Sequence, residues 1–174
     1  MDGKLISTTS QAIALVLVAA LSGCAAGPIK PAQPPSALSV TQVREIIAEQ
    51  GTVTVSSGEQ VLWGGTVLSV ANLADNTQIE IMAHPLDRRQ RPMIGKAAQG
   101  RFVASYEGFA EPLDFPAGRV VTVLGSLSEP VKGAVGEATY VYPSIKVIDS
   151  HLWSEQDRAT RSGVSFGIGI NLGN

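Results

Sequence analysis

Five stretches of this chain place apolar residues at the two-residue period of a β-strand, with glycine, proline and polar residues between them. Gln60–Val70 is rich in Val, Leu, Trp and Thr. Thr77–Ala83 sets Ile79, Ile81 and Ala83 against Gln78, Glu80 and Met82. Arg101–Tyr106 sets Phe102, Ala104 and Tyr106 on one face. Arg119–Ser128 and Thr139–Ile148 complete the set. Thr52–Val55 is a weaker sixth. The 18 glycines and 10 prolines supply the turns that such a pattern needs, and 44% hydrophobic residues supply a core. Asn72–Asn76 reads as the turn of a hairpin. Gly64-Gly65 reads as a bulge or a bend where a barrel turns a corner. Glu129–Glu137 reads as a turn region, Pro143 as an edge or bulge position, and Trp153 as the residue that closes the core.

One helix precedes the strands. Ser39 with Gln42 three residues on forms a capping box. Val40, Val43, Ile46 and Ile47 share a face, and Gly51 is a natural stop. The expected fold is therefore mainly β: a small Greek-key barrel of the OB type, or a sandwich, with one N-terminal helix.

The first 38 residues follow different rules. Gln11–Leu21 is almost wholly apolar, the length of a signal-peptide core and short of the roughly 20 residues that a transmembrane helix requires. It ends in Leu21-Ser22-Gly23-Cys24, and Cys24 is the only cysteine in the chain. A secreted protein with one leftover thiol is odd, and acylation of that thiol removes the oddity. The pattern matches a lipobox: residues 1–23 as a lipoprotein signal peptide and Cys24 as the lipidation site, palmitate-type chains being carried there. The competing readings are an ordinary secretory signal and a retained anchor. Each buried CH₂ contributes about 0.8 kcal/mol, so two or three acyl chains make release negligible. Ala25, in place of an aspartate after the cysteine, follows the lipoprotein sorting rule for the outer membrane. Residues 24–38 hold Pro28, Pro31, Pro34 and Pro35 and read as an extended tether that holds the domain off the bilayer. The β domain occupies 39–155, and a Gly-rich tail occupies 156–174.

In that tail Val164, Phe166, Ile168, Ile170 and Leu172 alternate with Ser165, Gly167, Gly169 and Asn171. Such a strand is an edge hazard unless paired, so the tail is a place for self-association or for an envelope protein partner. A flexible tail or an additional strand of its own sheet is the plainer alternative.

The composition argues against several activities. With 13 Lys+Arg against 15 Asp+Glu, no strong field draws in nucleic acid. No phosphate loop occurs and the one cysteine is taken up by lipid, so no catalytic residue is assigned and no enzyme is expected. His84 and His151, each near an aspartate (Asp87, Asp149), are too few and too far apart in sequence to call for a metal; no metal or other cofactor is expected. The one charged cluster in a long connection, Asp87, Arg88, Arg89 and Arg91 within His84–Gly100, offers a site for an anionic or glycan ligand, centred on Arg88, Arg91 and Asp87.

The sequence also resembles the Slp family, starvation-inducible outer-membrane lipoproteins. The resemblance runs from Cys24 to Trp153. It passes through Val61-Leu62-Trp63-Gly64-Gly65, Thr77-Gln78-Ile79-Glu80, Pro85-Leu86-Asp87 with Arg91-Pro92, and Gly100-Arg101-Phe102-Val103-Ala104. Gly108-Phe109, Gly118-Arg119, Val121-Thr122-Val123, Tyr142-Pro143 and Leu152-Trp153 continue it. Ala110-Glu111-Pro112 departs from it. The resemblance implies a lipid-anchored outer-membrane protein, its domain facing the periplasm, with a non-enzymatic structural or adaptor role under starvation or envelope stress. It brings no catalytic residue. The alternative is a periplasmic binding module for a small anionic or glycan ligand. The recurring residues also have structural uses: glycines for bends, Trp63 and Phe102 for the core, Arg101 or Arg119 paired with Asp87 or Asp114.

Overall fold

The structure, a computed structural model, describes residues 27–50 and 58–154. Cys24, the 52–55 segment, Gly51 and the tail from 156 lie outside the described residues.

Helix α1 spans Val40–Gln50 and buries Val40, Val43 and Ile47. Its capping box is formed: the Ser39 N–H donates to Gln42 Oε1 at 2.9 Å, and the Gln42 N–H donates to Ser39 Oγ at 3.3 Å. Five strands follow: β1 (Gln60–Asn72), β2 (Asn76–Ala83), β3 (Gly100–Glu107), β4 (Val120–Val135) and β5 (Ala138–Trp153). They close into a barrel in the order β1-β2-β3-β5-β4. Every neighbouring pair is antiparallel except β3–β5, joined over Val103–Ser105 and Ser144–Lys146. Because β1 pairs with both β2 and β4, the sheet closes on itself and the sandwich alternative is set aside.

The barrel is filled. Phe102, Ile79, Ile81, Ile145 and Val121 are fully buried within it. Trp63 meets Phe102 edge-on, with ring centres 5.2 Å apart, and its indole N–H donates to the Leu38 carbonyl at 2.7 Å. The apolar face of α1 joins this cluster.

Four local expectations are corrected. Gly64 and Gly65 mark close approaches; the irregularity in the β1–β2 register falls between Val67 and Ser69. A Cβ on Gly65 would run into the Met82 carbonyl, and one on Gly64 would meet Val121 O at 2.7 Å and Pro92 Cγ at 2.9 Å. The expected turn region 129–137 shrinks to a hairpin bend at Gly136 (φ 61°), because β4 and β5 run on as a two-stranded ribbon beyond the barrel. Pro130 and Pro143 sit in that ribbon where the register shifts between Ser128 and Val131, so neither needs an N–H for the ladder. Trp153 lies on the outer wall rather than in the core, since its indole N–H donates to the outward-facing Thr122 Oγ1 at 3.0 Å. The tether is no free spacer from Gly27 onward. Ile29 is buried, the Ser36 N–H donates to the Gln60 carbonyl at 2.7 Å, and Ser36 bridges to Val61.

Candidate functional site

The connection from β2 to β3 is built around Asp87. Its Oδ1 accepts from the N–H groups of Arg89 (2.8 Å) and Arg91 (2.9 Å), and its own N–H donates to the Arg91 carbonyl at 2.9 Å. This Asx turn holds Gln90 in the left-handed region, φ 66°. Thr122 Oγ1 then donates to the Gln90 carbonyl at 2.6 Å, which pins the turn to β4. Arg91 is only 8% exposed, with its guanidinium carbon 5.0 Å from the centre of the Trp153 ring. His151 stacks edge-on against the same ring at 4.5 Å.

The three residues of the expected anion site are thereby separated in role. Asp87 shapes the turn, Arg91 is built into the wall, and Arg88 is exposed. Arg91 shares a cavity of about 480 Å³ with Lys96 and Pro92–Gly95, and neither Asp87 nor Arg88 lines it. The pairing expected of Arg101 is also corrected: it bonds to Glu80 at 2.8 Å, across the β2–β3 ladder. Among the described residues, no group of three or more His, Cys, Asp or Glu comes together.

The turn does something that the sequence did not advertise. The Gln90 side chain brackets the backbone of Ile29: Oε1 accepts its N–H at 3.0 Å and Nε2 donates to its carbonyl at 2.9 Å. Gly27 leaves room for it: a Cβ there would overlap Gln90 Cδ and push that side chain aside. The signal that could have revealed this clasp was a glycine and a buried isoleucine within a proline-rich stretch. The clasp stands five residues after Cys24, a contour of at most about 18 Å.

A second surface lies across β2, β3 and β5, the face that OB barrels commonly use for ligands. Glu80 is consumed within it: one oxygen takes Arg101, and the other accepts from Ser69 Oγ at 3.2 Å. The bond to Glu80 raises the Arg101 pKa further above its ordinary value, against the opposing effect of burial. Burial likewise pushes the Tyr142 hydroxyl up. Farther along, Ser105, Ser126, Ser128 and Ser144 line a cleft of about 480 Å³ with Lys146 and Glu129. Four serine hydroxyls, one ammonium group and one carboxylate thus punctuate a lining that is otherwise largely apolar, with Leu127 and Val131.

Comparison with known proteins adds to this geometry. The lipoprotein YeaY of Escherichia coli (strain K12) is 32% identical over 135 residues, covering 76% of this chain and 66% of YeaY. Outer membrane protein Slp of the same organism is 30% identical over 96 residues, 55% of this chain and 50% of Slp. The chain thus spans between half and two thirds of the length of these relatives. Among solved structures, the mitochondrial single-stranded DNA binding protein Rim1 of S. cerevisiae aligns with a TM-score of 0.35 at 15% identity, covering 55% of this chain and 94% of that one. The profile of the Outer membrane lipoprotein Slp family matches residues 21–167, a stretch that takes in Cys24, the Gln90 clasp and the whole barrel, and the chain belongs to that family.

Proposed function

We propose that this chain is a lipid-anchored protein of the outer membrane, acylated at Cys24, whose barrel faces the periplasm and acts there as a non-enzymatic structural or adaptor module under starvation or envelope stress. The observation that carries the reading is the family match beginning at residue 21, so that Leu21-Ser22-Gly23-Cys24 falls inside the matched stretch. Two features support it. The barrel interior is occupied by the side chains of Ile79, Ile81, Phe102, Val121 and Ile145. The Ile29–Gln90 clasp keeps the domain within about 18 Å of chain from its anchor, so the barrel works at the membrane surface.

The test is mass spectrometry of the protein purified from its host, together with fractionation of Cys24→Ala. A diacyl thioether on Cys24, and a variant that leaves the membrane fraction, are expected. An unmodified thiol, or a variant that still sediments with membranes, overturns the anchor. For the adaptor role, crosslinking in stationary-phase cells should recover one stoichiometric envelope protein.

The serine-lined cleft that holds Lys146 and Glu129 favours a second reading, a binding module for a small anionic or glycan ligand. Calorimetric titration with peptidoglycan-derived oligosaccharides decides it: saturable heat that Lys146→Met removes supports binding, and no heat rejects it.

A further inference from the structure

Among the described residues five large apolar side chains are strongly exposed, and three of them share one end of the barrel. Leu73 (53% exposed) tips the β1–β2 turn; Phe109 (70%) and Leu113 (84%) tip the β3–β4 connection. The two loops are tied together. The Gly108 N–H donates to the Asp75 carbonyl at 3.2 Å, and within the β1–β2 turn the Leu73 N–H donates to the Asn76 carbonyl at 2.8 Å. Thr77, fully buried, is the hub: its Oγ1 accepts from the Ala110 N–H at 2.9 Å and faces the Gly108 carbonyl at 3.0 Å. Phe115 anchors the far side of the longer loop against Tyr106, ring centres 5.3 Å apart. Phe109 and Leu113 therefore project from a held frame, which lowers the entropy lost on docking.

The knob is rimmed by carboxylates. Asp75, Glu107, Glu111 and Asp114 are all exposed, and neither loop carries a Lys, Arg or His from Ala71 to Asn76 or from Glu107 to Gly118. That charge opposes insertion into an anionic lipid surface, where apolar loops come with Lys and Arg. It matches a partner whose apolar recess carries cations. This chain has such a recess. Ile47 and Ala48 of α1, with Pro130 and Val141 of the ribbon, line an apolar groove of about 330 Å³. Arg44 and Lys132 stand at it, and no carboxylate lines it. Arg44 and Tyr140 both lie beside Gly100 at the start of β3, while the knob adjoins Glu107 at its end. The two features are thus separated by the length of β3, about 23 Å at strand rise.

We propose that the chain self-associates head to tail, with the Leu73–Phe109–Leu113 knob of one copy seated in the α1–ribbon groove of the next. An interface between opposite ends is heterologous, so it builds a ring or an open row and not an isolated pair. Its salt dependence comes from the carboxylate rim meeting Arg44 and Lys132.

The test uses the full chain in membranes and in detergent. A photocrosslinker placed at Leu113, which is exposed and does not support the fold, should join two copies through peptides containing Ile47 or Val141. Sedimentation should show mass rising with concentration. Leu113→Asp and Lys132→Glu should each weaken association about tenfold, the effect of losing one interface anchor. Glu111→Lys combined with Lys132→Glu should recover part of what either loses alone. A monomer mass at all concentrations overturns the proposal. So do crosslinks from position 113 that run to lipid, to a different protein or within one chain, and so does a reversed-charge pair that shows no recovery.

Discussion

Gln90 holds Ile29 by both of its backbone groups, with hydrogen bonds of 3.0 and 2.9 Å from one side-chain amide. A side-chain amide standing in for a neighbouring strand is enough to attach a proline-rich segment that has no ladder of its own. The same residue is held by Thr122 and by the Asp87 turn, so the N-terminal segment is tied to β4 through one side chain.

Replacing Gln90 with Asn keeps a residue that tolerates positive φ but shortens the amide out of reach. The loss of two hydrogen bonds to a part-buried backbone should cost about 1–3 kcal/mol. Hydrogen exchange at Ile29 and proteolysis within 27–38 should both rise, while the barrel amides keep their protection.

Gly65→Ala should be among the most damaging single changes in the barrel. Its Cβ meets backbone atoms of Met82, which cannot rotate away as a side chain can. Destabilisation of about 3 kcal/mol or more is expected in urea unfolding, beyond ordinary overpacking. Gly95→Ala, where a Cβ meets open space, is the control and should change little.

Thr77→Val preserves shape and removes the hub hydroxyl. The Ala110 N–H is then left without its acceptor, a cost of about 1–3 kcal/mol, and the knob loops should exchange faster by hydrogen-exchange mass spectrometry. Thr77→Ser should retain most of the stability.

Tyr106 sets an alkaline limit. Burial raises its pKa above the ordinary 10.0; Ser150 stands near enough to oppose the shift but outside hydrogen-bonding geometry. The folded protein thus holds the proton more tightly than the unfolded chain. Its contribution to stability is complete below about pH 10 and falls as pH rises from there through the folded pKa. Tyr106→Phe should flatten that alkaline decline in thermal unfolding. It also removes a buried hydroxyl without a partner, so stability near neutral pH should hold or improve.

Period two was sufficient to locate all five strands, because a half-buried strand writes its burial into alternate residues, as Ile79, Ile81 and Ala83 show. The helix was legible for the same reason, together with a capping box whose spacing is local. The β4–β5 ribbon was shortened in the sequence reading. Lys132 to Glu137 is exposed apart from the half-buried Val135 and carries no alternation, so only pairing makes it strand. The arginines misled because charge in a loop looks the same whether it faces water or lies under a tryptophan, as Arg91 does.

By itself, then, the sequence determined the strand count, the helix, the mainly-β class and the family, all of which rest on local periodicity or on ordered short motifs. Tertiary structure alone decided that the sheet closes, that Trp153 lies outside it, that Arg101 pairs with Glu80, and that Gln90 clasps Ile29. Each of these joins residues more than twenty positions apart. Contacts at that separation depend on how the chain returns on itself, and no local pattern of apolar and polar residues encodes that path.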